Sequence, residues 1–153
     1  MATRIKSSAR SLYQEDPYRW AQVQAALLRD QRFGDLDLAH LVKEVEDLAG
    51  AMRRSVRSHA RRIIEHLLKL QHSPATEPRL GWRATVRTQR SELLDALTPS
   101  LRRELEAELT ELYARARHDA QAALRDHGED AAADALPEAC PYDMAQIESD
   151  WLP

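Results

Sequence analysis

The sequence has little of three kinds of residue that would otherwise shape its fold. It contains one cysteine, Cys140, and four glycines, and aromatic residues make up only 5% of its length. A single cysteine excludes a disulfide within the chain, which is consistent with a reducing compartment. Four glycines are too few for a turn-rich β fold, and they form no cluster that could hold a phosphate. Hydrophobic residues still make up 43%, so the core must be mostly aliphatic, which favours helices over sheets.

Long hydrophobic runs are also absent. No apolar stretch reaches the ~18 residues of a membrane span, and no secretory apolar run follows the basic, serine-rich start MATRIKSSARS. We therefore expect a soluble cytoplasmic protein with no membrane partner. We expect residues 1–11 to be a disordered lead and residues 12–153 to form a single helical-bundle domain.

The longest helical pattern runs from Asp35 to Gln71, and the predicted fold is organised around it. The stretch contains no proline and one glycine, Gly50. Its apolar residues recur every three or four positions, as in an amphipathic helix; they are Leu38, Leu41, Val45, Leu48, Met52, Val56, Ile63, Leu67 and Leu70. Such a helix would be about 55 Å long, which exceeds the width of a compact domain of this size. Either it breaks near Gly50, or the bundle is elongated, or one end protrudes and pairs with another copy.

Helix start and stop signals place the other elements. Asp16-Pro17 begins a first helix, which ends near Gln31 and packs antiparallel to the long one. Its predicted inner face comprises Trp20, Val23, Ala26 and Leu27. A loop at residues 72–81 precedes a third helix at residues 82–97.

Thr98-Pro99 begins a fourth helix, which is predicted to continue unbroken to His127 and to end at Gly128. Residues 129–139 are expected to be irregular. Asp143 and Gln146 then predict a capping box on a short helix, docked through Ile147, Trp151 and Leu152. The predicted fold is all-α, a bundle of four main helices with one long central helix and a short C-terminal helix.

A set of short motifs in order along the chain carries a family resemblance. They are Leu12-Tyr13, Asp16, Tyr18, Trp20, Phe33, Leu36-Asp37, His40-Leu41, Glu44, Glu46-Asp47, His66-Leu67-Leu68-Lys69, Trp82, Thr85, Gln89-Arg90, Cys140-Pro141-Tyr142 and Trp151-Leu152-Pro153. Through them the chain resembles the bacterial domain of unknown function 29, a family of cyanobacteria and proteobacteria. It departs from the family pattern at Ala49, Leu70 and Ser73, where glycine, an aromatic residue and glutamine are usual. The resemblance implies a small helical domain and no particular activity.

Polar residues on or beside the apolar faces form the first candidate site. A ligand site is predicted from Glu44, His66, Lys69, Trp82 and Gln89. The favoured alternative is a structural network in which His66 bonds Gln89 or a backbone carbonyl and fixes the helix register.

A metal site is the less favoured form of this candidate. Asp37, His40, Glu44 and Asp47 place four possible ligands along one helix, but no second set faces them, as helical-bundle metal sites require. We therefore predict no metal and no cofactor. Cys140 has no neighbouring base in sequence and is interpreted as structural.

Arginines form the second candidate site. A net charge of -3, from 22 basic and 25 acidic residues, is not typical of a nucleic-acid-binding protein. A local basic surface that binds phosphates is nevertheless predicted from Arg54, Arg57, Arg61, Arg83, Arg87 and Arg90. In the favoured alternative, these arginines pair with the acidic residues of the fourth helix, which are Glu104, Glu106, Glu108 and Glu111.

No catalytic motif is present, whether Gly-x-Ser-x-Gly, a Walker loop or Cys-x-x-Cys. We therefore interpret the protein as a non-enzymatic interaction module with an unknown protein partner, and a homodimer built on the long helix is one form of it. Two alternatives remain: nucleic-acid binding through the arginines, and a small-ligand or metal site in the bundle interior around His66.

Overall fold

A computed structural model describes residues 12–153, so the predicted lead at residues 1–11 lies outside it. All regular structure in the described residues is helical, which confirms the predicted fold class. Residues 12–15 are helical. They are followed by α1 (Pro17–Arg29), a 3-10 helix (Phe33–Asp35), α2 (Leu38–His72), α3 (Arg79–Ala96), α4 (Pro99–Ala107), α5 (Leu109–Asp126), α6 (Asp130–Asp134) and α7 (Met144–Glu148).

The long central helix is confirmed and is unbroken. α2 comprises 35 residues and continues through Gly50, so the alternative with a break there is wrong. Glycine costs only about 1 kcal/mol in a helix interior. The chain divides into two compact units, and the second unit begins at Met52, inside this helix.

The first unit, up to Ala51, is organised by polar contacts of α1. Asp16 caps the helix as predicted, accepting a hydrogen bond from the Arg19 N–H at 3.0 Å. The predicted inner face is partly wrong: Trp20 is buried, but Val23 is exposed and Gln24 takes an inward position. Gln24 is buried because its side-chain oxygen accepts the Asp37 N–H at 2.9 Å.

The second unit, from Met52, has the aliphatic core that the composition predicts. Each of α2 to α7 contributes to it. Its most enclosed side chains include Ile63, Ile64, Leu67, Leu68 and Leu93, all of which are fully buried.

The predicted single fourth helix is wrong, because Glu108 separates α4 from α5. Neither glycine nor proline lies there. Instead, the Glu108 carboxylate is held by both Arg53 and Arg57 of α2, contacts that no local pattern records. Thr98 caps α4 as predicted, accepting a hydrogen bond from the Leu101 N–H at 3.3 Å.

The C-terminal part contains two further corrections. Residues 129–139 are not wholly irregular, since α6 forms there and buries Ala133. The capping box is confirmed, with Asp143 and Gln146 bonding each other's backbone N–H groups. Ile147 docks as predicted, whereas Trp151 and Leu152 remain over one-third exposed.

Candidate functional sites

The first half of α2 carries an apolar surface, here called the α2 stripe, formed by the half-buried Leu41 and the exposed Leu38, Val42, Val45 and Leu48. Leu38, Val45 and Leu48 are each 60–64% exposed. Leu38, Leu41, Val45 and Leu48 follow the alternating spacing of three and four that marks the a and d positions of a coiled coil. Single exposed apolar side chains are ordinary, whereas the spacing of these four is the pattern by which coiled-coil helices pack.

A polar cluster positions the start of α2 within the first unit. The buried Asp37 carboxylate accepts hydrogen bonds from Trp20 Nε1 at 3.3 Å and from His40 Nδ1 at 2.7 Å. Burial acts to raise the pKa of Asp37, but the bonds from His40 and Trp20 outweigh it and hold that pKa below its usual value. Tyr13 stacks on His40, with ring centroids 3.9 Å apart.

Glu44 belongs to this cluster. It accepts a hydrogen bond from the Tyr13 hydroxyl at 2.5 Å, and that bond raises the pKa of Tyr13. Tyr13 contacts Glu44, whereas Trp20 and Gln24, which come later in the chain, contact Asp37, which comes earlier than Glu44. This order is the one expected of antiparallel helices. The cluster therefore fixes the orientation of α2 within the first unit, and with it the helix face on which the α2 stripe lies.

A buried ionic cluster lies near the end of α2, in the second unit. Lys69 Nζ donates to Glu65 Oε1 at 2.9 Å, and it lies 3.4 Å from His66 Nε2. His66 Nδ1 lies 2.9 Å from the Arg62 carbonyl oxygen, so Nδ1 carries the proton and Nε2 accepts from Lys69. Burial, and then the charge of Lys69, lowers the pKa of His66. This histidine is therefore held neutral.

The structure brings together three of the five residues predicted for the ligand site. His66 and Lys69 are in contact, and Lys69 Nζ lies 5.6 Å from the ring centroid of Trp82. Glu44 lies in the first unit, and Gln89 accepts a hydrogen bond from His59 Nδ1 at 2.9 Å. Of the two structural partners predicted for His66, the backbone carbonyl is the one it bonds.

Sequence reasoning missed Glu65 because a carboxylate among Ile63, Ile64, Leu67 and Leu68 offers no periodic signal. The spacing of Glu65 and Lys69, four residues apart, is nevertheless that of a helical ion pair. That spacing was the signal that could have found it.

A cleft of about 730 Å³ opens beside this cluster. Its polar lining comprises Lys69, Thr76, Glu77, His127 and Glu129, and its apolar lining comprises Ala75, Pro78, Trp82, Ala123 and Leu124. The volume lies within the range of about 300–1,000 Å³ typical of small-molecule sites.

The predicted basic residues have different surroundings. Arg57 pairs with Glu108 and Glu111, and Arg61 lies 3.4 Å from Asp119. Arg54 lines a small cavity of about 220 Å³ together with Arg57, Arg61 and Arg115. Arg83 and Arg87 are exposed on α3 and make no ion pair with the described residues. Two of the six predicted arginines, Arg57 and Arg61, thus already have acidic partners.

Arg90, grouped with these residues in the sequence, is instead a buried residue. Its guanidinium donates to the carbonyls of Ile147, Gln146 and Trp151 at 3.0, 2.7 and 2.7 Å. Burial lowers its pKa. Arg90 therefore holds the C-terminal segment through backbone acceptors and does not contribute to a basic surface.

Three observations on residues 12–153 concern metal binding, the thiol and membrane spans. Within that range no three His, Cys, Asp or Glu side chains cluster in a way that could hold a metal ion. Burial raises the pKa of Cys140, and its Sγ lies 3.3 Å from the Tyr142 carbonyl oxygen. None of the helices between residues 12 and 153 combines the length and hydrophobicity needed to cross a membrane.

An all-helical fold with one long central helix, seen across residues 12–153, defines the class of this protein. A family model then places it more closely. The chain belongs to the domain of unknown function family DUF29, whose model matches residues 12–152, as the ordered motifs predicted. Neither the curated proteins nor the solved structures yielded a match.

Proposed function

We propose that this protein is an interaction module that associates with a second copy of itself through the α2 stripe. The observation that supports the proposal is the heptad spacing of large apolar side chains that remain about 60% exposed. A helix face of this kind is stabilised by a second helix that covers it.

The residues beside the seam favour a second copy as the partner. With Leu38 and Val45 as a positions, the flanking e positions are Val42 and Ala49, which carry no charge. The charged residues Lys43 and Asp47 lie on the outer side, where they pair with each other at 2.6 Å. Two identical stripes can therefore meet in a two-fold arrangement without opposing like charges along the e positions, and Glu44 at the intervening g position is held by the Tyr13 hydroxyl.

The expected affinity is modest. Full burial of a Leu or Val side chain contributes about 1.5–3 kcal/mol, so each side chain that is about 60% exposed can contribute about 1–2 kcal/mol. Leu38, Val45 and Leu48 of both copies would together supply about 5–11 kcal/mol. Association costs about 4–15 kcal/mol. We therefore expect a dimer that forms at micromolar or higher concentration.

Sedimentation velocity across a concentration series tests this proposal. The natural chain should shift from monomer to dimer as its concentration rises, whereas Leu48→Asp should remain monomeric and keep its helical circular dichroism. Leu80→Asp is the matched control, because Leu80 is 77% exposed but lies on α3. A natural chain that stays monomeric up to about 1 mM, or equal dimerisation of all three proteins, would refute self-association through the stripe.

A further inference from the structure

The cleft beside the buried ionic cluster carries a second inference, independent of the α2 stripe. We propose that it binds a small organic amine, whose ammonium group is held by Glu129 and whose apolar part lies against Trp82. Every residue of this site belongs to the second unit.

The uncompensated charge of the cleft is negative. Lys69 is the only lysine or arginine among the described residues that line the cleft, and Glu65 neutralises that charge at 2.9 Å. Glu77 and Glu129 also line the cleft, and neither forms an ion pair with the described residues. An entering ligand therefore meets two carboxylates and one cation that is already paired, which favours a positive group over a negative one.

The Glu129 carboxylate is the group in this lining that would hold the ammonium. Oε2 of Glu129 is buried and has no hydrogen-bond partner among residues 12–153. A carboxylate that receives no donor from the protein favours a charged donor such as an ammonium. Glu129 stands at the start of α6 but makes no side-chain capping bond there, so the helix does not occupy this carboxylate.

The rest of the cleft suits an apolar body of ring size. Trp82 and Leu124 supply its largest apolar surfaces, and the ring of Trp82 already has the ammonium of Lys69 at 5.6 Å. Aromatic faces attract cations as well as apolar groups. An arylalkyl amine therefore matches both parts of the lining, whereas a simple inorganic cation would leave the apolar part unused.

Two probes that differ in charge test the proposal on the full chain. Phenethylamine and 3-phenylpropionate share a phenyl ring and differ in the sign of the terminal group, and binding of each is followed by heteronuclear NMR titration up to about 10 mM. We expect phenethylamine to shift the indole N–H signal of Trp82 and to bind at least about tenfold more tightly than the acid. Equal binding of the two probes, or no binding of phenethylamine, would overturn the proposal.

Isosteric variants assign the contact. Glu129→Gln should weaken phenethylamine binding by about tenfold or more, because it removes the charge and keeps the shape. Glu92→Gln is the control, since Glu92 is an exposed carboxylate of α3 outside the cleft. Unchanged amine binding in Glu129→Gln would show that this carboxylate is not the ammonium site, even if the probe binds elsewhere.

Discussion

Replacing Arg90 by methionine should free the C-terminal segment while leaving the rest of the second unit folded. Arg90 is only 6% exposed, and its three hydrogen bonds reach backbone carbonyls 56, 57 and 61 residues further along the chain. Methionine keeps the apolar length of the side chain and removes every donor.

The expected loss of stability follows from the contacts that the C-terminal segment loses in Arg90→Met. Three bonds from a charged donor, at about 1.5–3 kcal/mol each, set an upper limit of about 9 kcal/mol. The segment can instead detach and hydrate its carbonyls, so the loss is limited by the docking of Ile147 and Met144. Burying these two side chains contributes about 1.5–3 kcal/mol each. We therefore expect Arg90→Met to lower the free energy of unfolding by about 3–6 kcal/mol and Tm by about 10 °C or more.

Hydrogen exchange with thermal unfolding checks this prediction. The amides of Ile147 and Ser149, which bond to Asp143 and Ala145 in α7, should exchange faster in Arg90→Met. Arg87→Met is the control, because Arg87 is exposed on the same helix. Protection of both amides at the natural level in Arg90→Met, or equal losses in the two variants, would refute the reasoning.

Three further predictions concern the core, the buried histidine and the thiol. Leu67→Ala should cost about 2–5 kcal/mol in urea unfolding, because Leu67 is fully buried. Stability should fall as the pH drops below 6.5, the usual pKa of histidine, because His66 then binds a proton more readily in the unfolded chain. His66→Gln should flatten that slope without abolishing it, since burial also lowers the pKa of His72. Cys140 should react slowly with a thiol reagent in the native protein and rapidly in urea, because burial raises its pKa.

Each of these predictions can fail in a specific way. Leu48→Ala is the control for Leu67→Ala and should change monomer stability by no more than about 0.5 kcal/mol; equal costs would contradict the assigned burial. An unchanged pH slope in His66→Gln would mean that this histidine titrates alike in both states. Immediate labelling of native Cys140 would contradict its partial burial.

The signals that predicted the fold correctly are local. Asp16, Thr98 and Asp143 cap helices through backbone groups three residues away, so short sequence windows contain everything that those helix starts require. Gly128 likewise has a φ of 75°, a conformation that glycine adopts without strain. These elements could be located before any tertiary contact was known.

The features that were missed depend on distant partners. Gln24 is buried because Asp37 presents its N–H to it, and α4 ends at Glu108 where two arginines of α2 hold the carboxylate. Helical periodicity also cannot report whether a stripe is covered, so the exposure of Val45 was not predictable from spacing. The sequence predicted only part of the cleft lining, because Glu77 and Glu129 lie in loops whose position no sequence pattern defines.

Val45 and Val56 are both valines on nearly the same face of one helix, eleven positions apart. Val45 is nevertheless 64% exposed, whereas Val56 is 1% exposed. In a mutational scan that scores abundance and partner binding separately, an aspartate at position 56 should strongly lower the abundance of the folded protein. The same aspartate at position 45 should leave its abundance intact and affect only binding. If the α2 stripe binds as proposed, these two valines of one helix would report separately on folding and on association.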